Sequence, residues 1–297
     1  MKFEEILTLF FVMTFSSAGS WALSASDQIN KLRQSSSGSY LLPHKPIYIF
    51  PLSYNDNPNE STYANLTNQQ GFESRGEFVQ PLESEFQISF LVLTDQNIFG
   101  SGFDTFIGYT NRSWWQVYNS SWSRPFRETN HTPEIFARKI FSAPTTYYAI
   151  DWVGYDFGFA HESNGQIQEL SRSWNRLFLR IHALIGSFVV ELMPWYRIPD
   201  SPDENADIEE FKGQISISAT VPNRFGTFSL EINPGTHKRG FTLSHSYHWK
   251  EGLEFFAKVD YGYGHSLLDY SNESRRLGIG IKLLTPFSSN PAIIQNE

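Results

Sequence analysis

Apolar and polar residues alternate one by one through much of the second half of the chain. Phe211, Gly213, Ile215, Ile217, Ala219 and Val221 share one parity, and Lys212, Gln214, Ser216, Ser218 and Thr220 share the other. Phe228, Leu230 and Ile232 alternate with Thr227, Ser229, Glu231 and Asn233. Phe241, Leu243, Tyr247 and Trp249 alternate with Thr242, Ser244, Ser246 and His248, and Leu277, Ile279, Ile281 and Leu283 oppose Gly278, Gly280 and Lys282. A period of two is strand periodicity, and Pro222-Asn223, Pro234-Gly235 and Glu251-Gly252 mark turns between the runs. About twelve strands are predicted, near 40–54, 85–95, 105–118, 134–143, 145–160, 172–184, 186–198, 206–220, 224–234, 238–250, 253–265 and 273–285.

Strands of about ten residues with one apolar face are the pattern of an outer-membrane barrel, whereas strands of soluble sandwiches run nearer five or six. Aromatic residues near strand ends, at Trp114-Trp115, Trp195-Tyr196 and Trp249, fit interfacial girdles. The expected fold is all-β: a transmembrane antiparallel β-barrel with its apolar parity toward lipid. Polar breaks fall at 26–40, 55–77 and 199–207. The last holds Asp200, Asp203, Glu204 and Asp207, but without the ligand spacing of a calcium loop it reads as a solvated turn.

At the amino terminus an apolar run from Ile6 to Phe15 follows Met1-Lys2, and Ser17, Ala18, Gly19, Ser20 and Ala22 come next. That is the layout of a signal peptide cleaved between residues 20 and 25. Residues 1–25 are then the signal and 26–297 one barrel domain. No later stretch offers the ~18 consecutive apolar residues of a helical span.

Composition changes this picture in three ways. Twenty-three basic residues against 31 acidic ones give a net charge of −8, and no basic patch is available to track phosphates, so nucleic acid is not an expected partner. The absence of cysteine removes disulfides, thiolate metal sites and cysteine nucleophiles. A mean hydropathy of −0.35 suits a soluble protein, but equally a barrel in which half of each strand faces a polar interior.

Polar functional groups are densest from Asp156 to Gln166 and from Ser171 to Arg176. Val153, Tyr155, Phe157 and Phe159 share a parity that continues to His161 and Ser163. Asn175, Leu177, Leu179 and Ile181 share a parity on the next strand, so an antiparallel hairpin sets Asn175 beside His161 on the lipid-facing surface. Two residues apart on one face, His161 and Ser163 are about 6–7 Å apart at the backbone, within reach of each other through their side chains. Ser163 as nucleophile, His161 as base and Asn175 as the group orienting the imidazole would form a hydrolytic set. The bland alternative is that His-x-Ser here is an ordinary polar strand end. His182 is expected inside with Arg180, and His245 and His248, on opposite parities, are expected to be structural.

His161-Glu162-Ser163-Asn164-Gly165 followed by Ser171-Arg172-Ser173-Trp174-Asn175-Arg176 resembles the active-site signature of outer-membrane phospholipase A. The segments Arg112–Gln116, Ser123–Asn130 and Met193–Tyr196 match further blocks of that family. The resemblance implies a twelve-stranded barrel in the outer membrane of a Gram-negative bacterium. It implies hydrolysis of acyl esters of membrane phospholipids and lysophospholipids (A1/A2 type), with calcium as cofactor, in a homodimer whose sites lie along the lipid-facing seam. Carried over by motif, Ser163, His161 and Asn175 form the triad, and the Gly165 N–H serves the oxyanion. Calcium (Ca2+) would be held by the Gln166 carbonyl, the Ser171 hydroxyl and Ser123 of the partner subunit. The chain departs from the pattern at Gln166, where arginine is common, through Ile167–Leu170, and at Asn111, where a glutamine can pair across the seam. It also carries a tail after Phe287. Competing readings are a passive pore or structural barrel and an exported soluble β-sandwich that binds carbohydrate.

Overall fold

The computed structural model describes residues 41–68, 71, 73–223 and 226–283. The expected signal peptide with its cleavage site and the tail after Phe287 lie outside the described residues. Thirteen strands are present among them: β1 (Leu41–Pro43), β2 (Tyr48–Asn55), β3 (Leu82–Asp95), β4 (Asp104–Trp115), β5 (Phe126–Tyr147), β6 (Ile150–Ser163), β7 (Ser173–Ile185), β8 (Phe188–Ile198), β9 (Ile215–Asn223), β10 (Gly226–Asn233), β11 (Gly240–Lys250), β12 (Leu253–Gly262) and β13 (Ser274–Leu283). β1 and β2 pair with the same edge of β3, at Phe90–Val92 and at Leu82–Gln87, and so make one broken stave. Every strand from β2 to β13 is antiparallel to its neighbour, and β13 returns to β2, with Arg276 opposite Asn55 and Lys282 opposite Tyr48. The result is a closed barrel of twelve staves. Closure leaves no unpaired sheet edge, the condition for strands to stand in hydrocarbon.

The two ends differ. Tight turns at 148–149, 186–187 and 251–252 close one end, while connections 56–81, 116–125, 164–172, 199–214 and 263–273 gather at the other. Short periplasmic turns and long extracellular loops are the outer-membrane arrangement. On the outside, Ile49, Leu52, Ile107, Ile135, Phe157, Leu177 and Ile279 are all exposed, an apolar band that water would not tolerate over so large an area. Inside, Arg138, Arg180 and His182 surround Asp156 at 2.8–3.1 Å, and Arg180 also reaches Glu134. A second network joins Arg112, Glu85, Lys258 and Asp260, and a third joins Arg127, Glu83 and Arg276. Buried charges persist because they pair. Phe106, Phe136, Phe178, Trp174 and Trp195 pack together in the interior. An interior cavity of about 630 Å³ remains, with Ser216, Ser218, Thr220, Ser229, Ser244 and Ser246 among its lining residues. His182 is inside with Arg180, as its parity predicted.

Several local expectations are corrected. Phe211 and Gly213 do not begin a strand, because Ile208–Lys212 is a short helix, α1. Ile208 and Phe211, three residues apart, share one side of that turn and pack into the aromatic interior. Gly213, at φ +71, approaches the Pro234 carbonyl so closely that a Cβ would stand 2.1 Å from it, and the strand begins only at Ile215. Val153 lies at a bulge in the β6–β7 ladder and is turned into the interior cavity instead of toward lipid. β5 runs through Pro144 where its ladder with β6 is irregular, between Ile140 and Thr145. The turn falls at Tyr148-Ala149, both with positive φ. Of the aromatic pairs, only one member faces out: Trp115 and Tyr196 do, whereas Trp114 and Trp195 are buried.

Candidate active site

The site is assembled at the long-loop end of the β6–β7 hairpin. In that ladder His161 stands opposite Asn175 and Ser163 opposite Ser173. Outward parity is set by neighbours: Phe157, Leu177 and Leu179 on the same faces are exposed, while Ala160, Trp174 and Phe178 on the alternate faces are buried. His161 Nδ1 and Asn175 Oδ1 are 2.9 Å apart. An amide oxygen only accepts, so the ring proton sits on Nδ1 and the Nε2 lone pair is left for a hydroxyl. Asn175 Nδ2 donates to Asp200 Oδ2 at 3.4 Å, which orients the amide with its oxygen toward the histidine. Ser163 is two residues beyond His161 on the same face and half-buried.

Behind this outward row the interior side chains lock the strands. Glu162 Oε2 accepts from Trp174 Nε1 and Arg176 Nη2, both at 2.9 Å, and Lys212 reaches its other oxygen at 3.5 Å. Burial holds the Lys212 ammonium below the usual lysine range, against the opposing pull of Glu162.

Loop 164–172 is tied by a buried residue that spacing alone did not single out. Asn164 Nδ2 donates to the Leu170 carbonyl at 2.7 Å, and its Oδ1 accepts from the backbone N–H groups of Gln166 and Arg172 at 3.2 and 3.0 Å. Its signal in the sequence is the Asn-Gly pair directly after a strand, a turn former. Gly165 follows in the left-handed region at φ +63. Gln166 is exposed, and Ser171 Oγ donates to Glu204 Oε2 at 2.9 Å. The acidic loop is therefore not simply solvated, since Asp200 and Glu204 both reach the site. Ser123 lies elsewhere, exposed in the β4–β5 loop at φ +60, and Arg124 beside it also has positive φ. The oxygens brought together at Ser171 are its own hydroxyl and the Glu204 carboxylate. This donor set suits a hard cation, although no group of three or more His, Asp or Glu poised for a metal occurs among the described residues.

A residue missed in the sequence is His131 of β5, the direct partner of Ser163 across the β5–β6 ladder.

The geometry has counterparts in known proteins. The family model for phospholipase A1 matches residues 25–283. The chain belongs to the phospholipase A1 family. Phospholipase A1 of Proteus vulgaris is 35% identical over 244 residues, covering 80% of this chain and 82% of that protein. Phospholipase A1 of Escherichia coli K12 is 35% identical over 205 residues, covering 68% and 69%. Among solved structures, outer membrane phospholipase A from Escherichia coli superposes with a TM-score of 0.75 at 28% identity, covering 83% of this chain and 99% of that one. The Salmonella typhi outer membrane phospholipase, solved as a dimer with bound calcium, gives a TM-score of 0.76 at 28% identity, covering 87% and 97%. Membership in this family and the closed barrel make the protein an outer-membrane phospholipase. The passive barrel and the soluble sandwich are set aside.

Proposed function

We propose that this phospholipase cleaves acyl esters of phospholipids and lysophospholipids (A1/A2 type) with a Ser163–His161–Asn175 triad on the lipid-facing surface of the barrel, and that it requires calcium and a homodimer. The observation that carries the reading is the 2.9 Å His161–Asn175 contact across β6–β7, on the outward parity that also holds Ser163. Ser163 Oγ attacks the ester carbonyl while His161 Nε2 takes its proton. Negative charge gathers on the carbonyl oxygen, and the Gly165 N–H donates to it. The imidazolium, held through Nδ1–H on Asn175 Oδ1, then gives its proton to the departing glycerol oxygen. Water, activated by the same histidine, frees the fatty acid from Ser163. A neutral amide stabilises the imidazolium less than a carboxylate would, and Asp200 behind Asn175 adds negative charge at one remove.

The residues suited to hold calcium are the Gln166 carbonyl and the Ser171 hydroxyl, with Glu204 beside them, and Ser123 of the partner subunit. When bound, the ion supplies positive charge close to the developing oxyanion. An ion shell completed by a second chain would couple hydrolysis to dimerisation, keeping an enzyme that stands in its own substrate silent as a monomer. Support for the dimer and the ion comes from the relative solved in that state. The test is fatty-acid release from phospholipid in detergent, with and without calcium, for wild type and Ser163→Ala. Release confined to wild type with calcium is expected, and near wild-type release by Ser163→Ala would sink the reading.

A further inference from the structure

Ser163 has one imidazole two residues back on its own strand and a second directly across the ladder. His131 of β5 pairs with Ser163, and its flanking residues Asn130 and Thr132 are buried in the interior, so His131 shares the outward face with the serine. Directly opposite residues hold their Cβ atoms roughly 4.5–5.5 Å apart. The triad makes no use of this second ring.

Its environment determines where its proton lies. His131 Nδ1 is 2.7 Å from Tyr109 Oη and 3.4 Å from Asn111 Nδ2. The Asn111 amide is itself oriented, because its Oδ1 accepts from Ser113 Oγ at 3.1 Å, which turns the NH2 toward the ring. An amide nitrogen only donates, so Nδ1 is an acceptor, the Tyr109 hydroxyl donates to it as well, and the ring proton is on Nε2. That edge of the ring borders the oxyanion turn. Cδ2 and Nε2 lie 3.8 and 3.9 Å from the point a Cβ on Gly165 would occupy. The side chain missing from Gly165 leaves this edge uncovered, beside the backbone N–H assigned to the oxyanion.

We propose that His131 Nε2–H is a second hydrogen-bond donor to the oxyanion formed at Ser163, with Tyr109 and Asn111 as positioning residues that hold its tautomer. The inference rests on the reading of Ser163 as nucleophile. The bond adds no proton transfer: the Nε2–H donates to the carbonyl oxygen as its charge develops, and the charge returns to the ester when the tetrahedral species collapses. A donor aimed at the oxyanion is worth most in the transition state, so its loss falls on kcat and spares KM.

The experiment uses the full chain in detergent with calcium and phosphatidylcholine in mixed micelles. Barrel integrity is checked by the shift between heated and unheated samples on a gel. His131→Phe keeps an aromatic ring without a donor, and His131→Gln places an amide N–H near the position of Nε2. Removal of such a donor is expected to lower kcat about 100–1,000-fold, with KM within about twofold of wild type. His131→Gln should recover most of that loss, which a merely structural role for the ring would not predict. A folded His131→Phe protein with wild-type kcat, a loss confined to KM, or a Gln variant no better than Phe overturns the proposal. Ser163→Ala is assayed alongside. If it is inert while His131→Phe is fully active, the inference alone fails; if it retains activity, the reading beneath it fails.

Discussion

Replacing Asn175 by Ala removes the oxygen that accepts from His161 Nδ1 at 2.9 Å and leaves the strand pairing intact. The size of the effect follows from what that bond gains during the reaction. Before proton transfer it joins two neutral groups and contributes about 0.5–1.5 kcal/mol, and once His161 is an imidazolium the same bond is worth about 1.5–3 kcal/mol. Only the difference, about 1–2 kcal/mol, accelerates the reaction, which corresponds to roughly a 5–30-fold fall in kcat. KM should not move, because the bond gains strength only once the imidazolium forms. Steady-state fatty-acid release over a range of phospholipid mole fractions in mixed micelles separates the two constants. Asp200→Asn, which keeps a group able to accept from Asn175 Nδ2 but removes the charge, should show a smaller loss of the same kind. Undiminished kcat in Asn175→Ala, or a loss that lies in KM, would refute the orienting role. A fall of about four orders of magnitude, the size seen when a triad carboxylate is lost, would contradict the arithmetic for a neutral amide.

Three further outcomes follow from the barrel and its loops. Asp156→Ala strands Arg138 and Arg180 without their shared carboxylate in the interior; denaturant unfolding in detergent should register a loss of about 3–5 kcal/mol, and a loss below about 1 kcal/mol would show that water replaces the carboxylate freely. His265, in the loop after β12, is held neutral by burial, which lowers its pKa to about 4 despite nearby Asp260. The unfolded chain then binds the extra proton first, so stability is full above about pH 6.5 and falls toward pH 4, by about 3 kcal/mol from this group, a slope that His265→Gln should remove. Chelation of calcium should abolish hydrolysis yet leave thermal unfolding of the barrel almost unchanged, because the donors proposed for it belong to loops and not to the strand ladder; unfolding on chelation would assign the ion a structural role instead.

The architecture was legible because lipid outside and polar networks inside impose opposite demands on alternate residues, and that contrast survives along most of each strand. The His161–Asn175 pairing was legible for the same reason: one short hairpin and a constant parity bring them opposite one another. Phe211 and Gly213 misled because a single helical turn ahead of a strand happens to continue the odd-numbered parity. Val153 misled because a bulge costs one residue of register and leaves no mark in the composition. His131 was invisible for a different reason. β5 begins at Phe126, well before the run expected near 134, yet between Arg127 and Pro133 both parities are polar. At the end of β5 nearest the proposed site the outward face carries polar residues in place of apolar ones, so the contrast that reveals strands vanishes there. The acidic loop shows the complementary limit. Asp200 and Glu204 bear on Asn175 and Ser171 from sequence distances that periodicity does not span.

The central claim is that Ser163 is the nucleophile, activated at the outer surface of the barrel. The most direct measurement treats the folded, calcium-loaded protein with a long-chain alkyl sulfonyl fluoride and locates the adduct by peptide mass spectrometry. One adduct per chain on Ser163, forming in step with the loss of fatty-acid release and slowed in His161→Ala, is the predicted result. An inactivated enzyme with Ser163 unmodified, or with the adduct on another serine, would contradict the account.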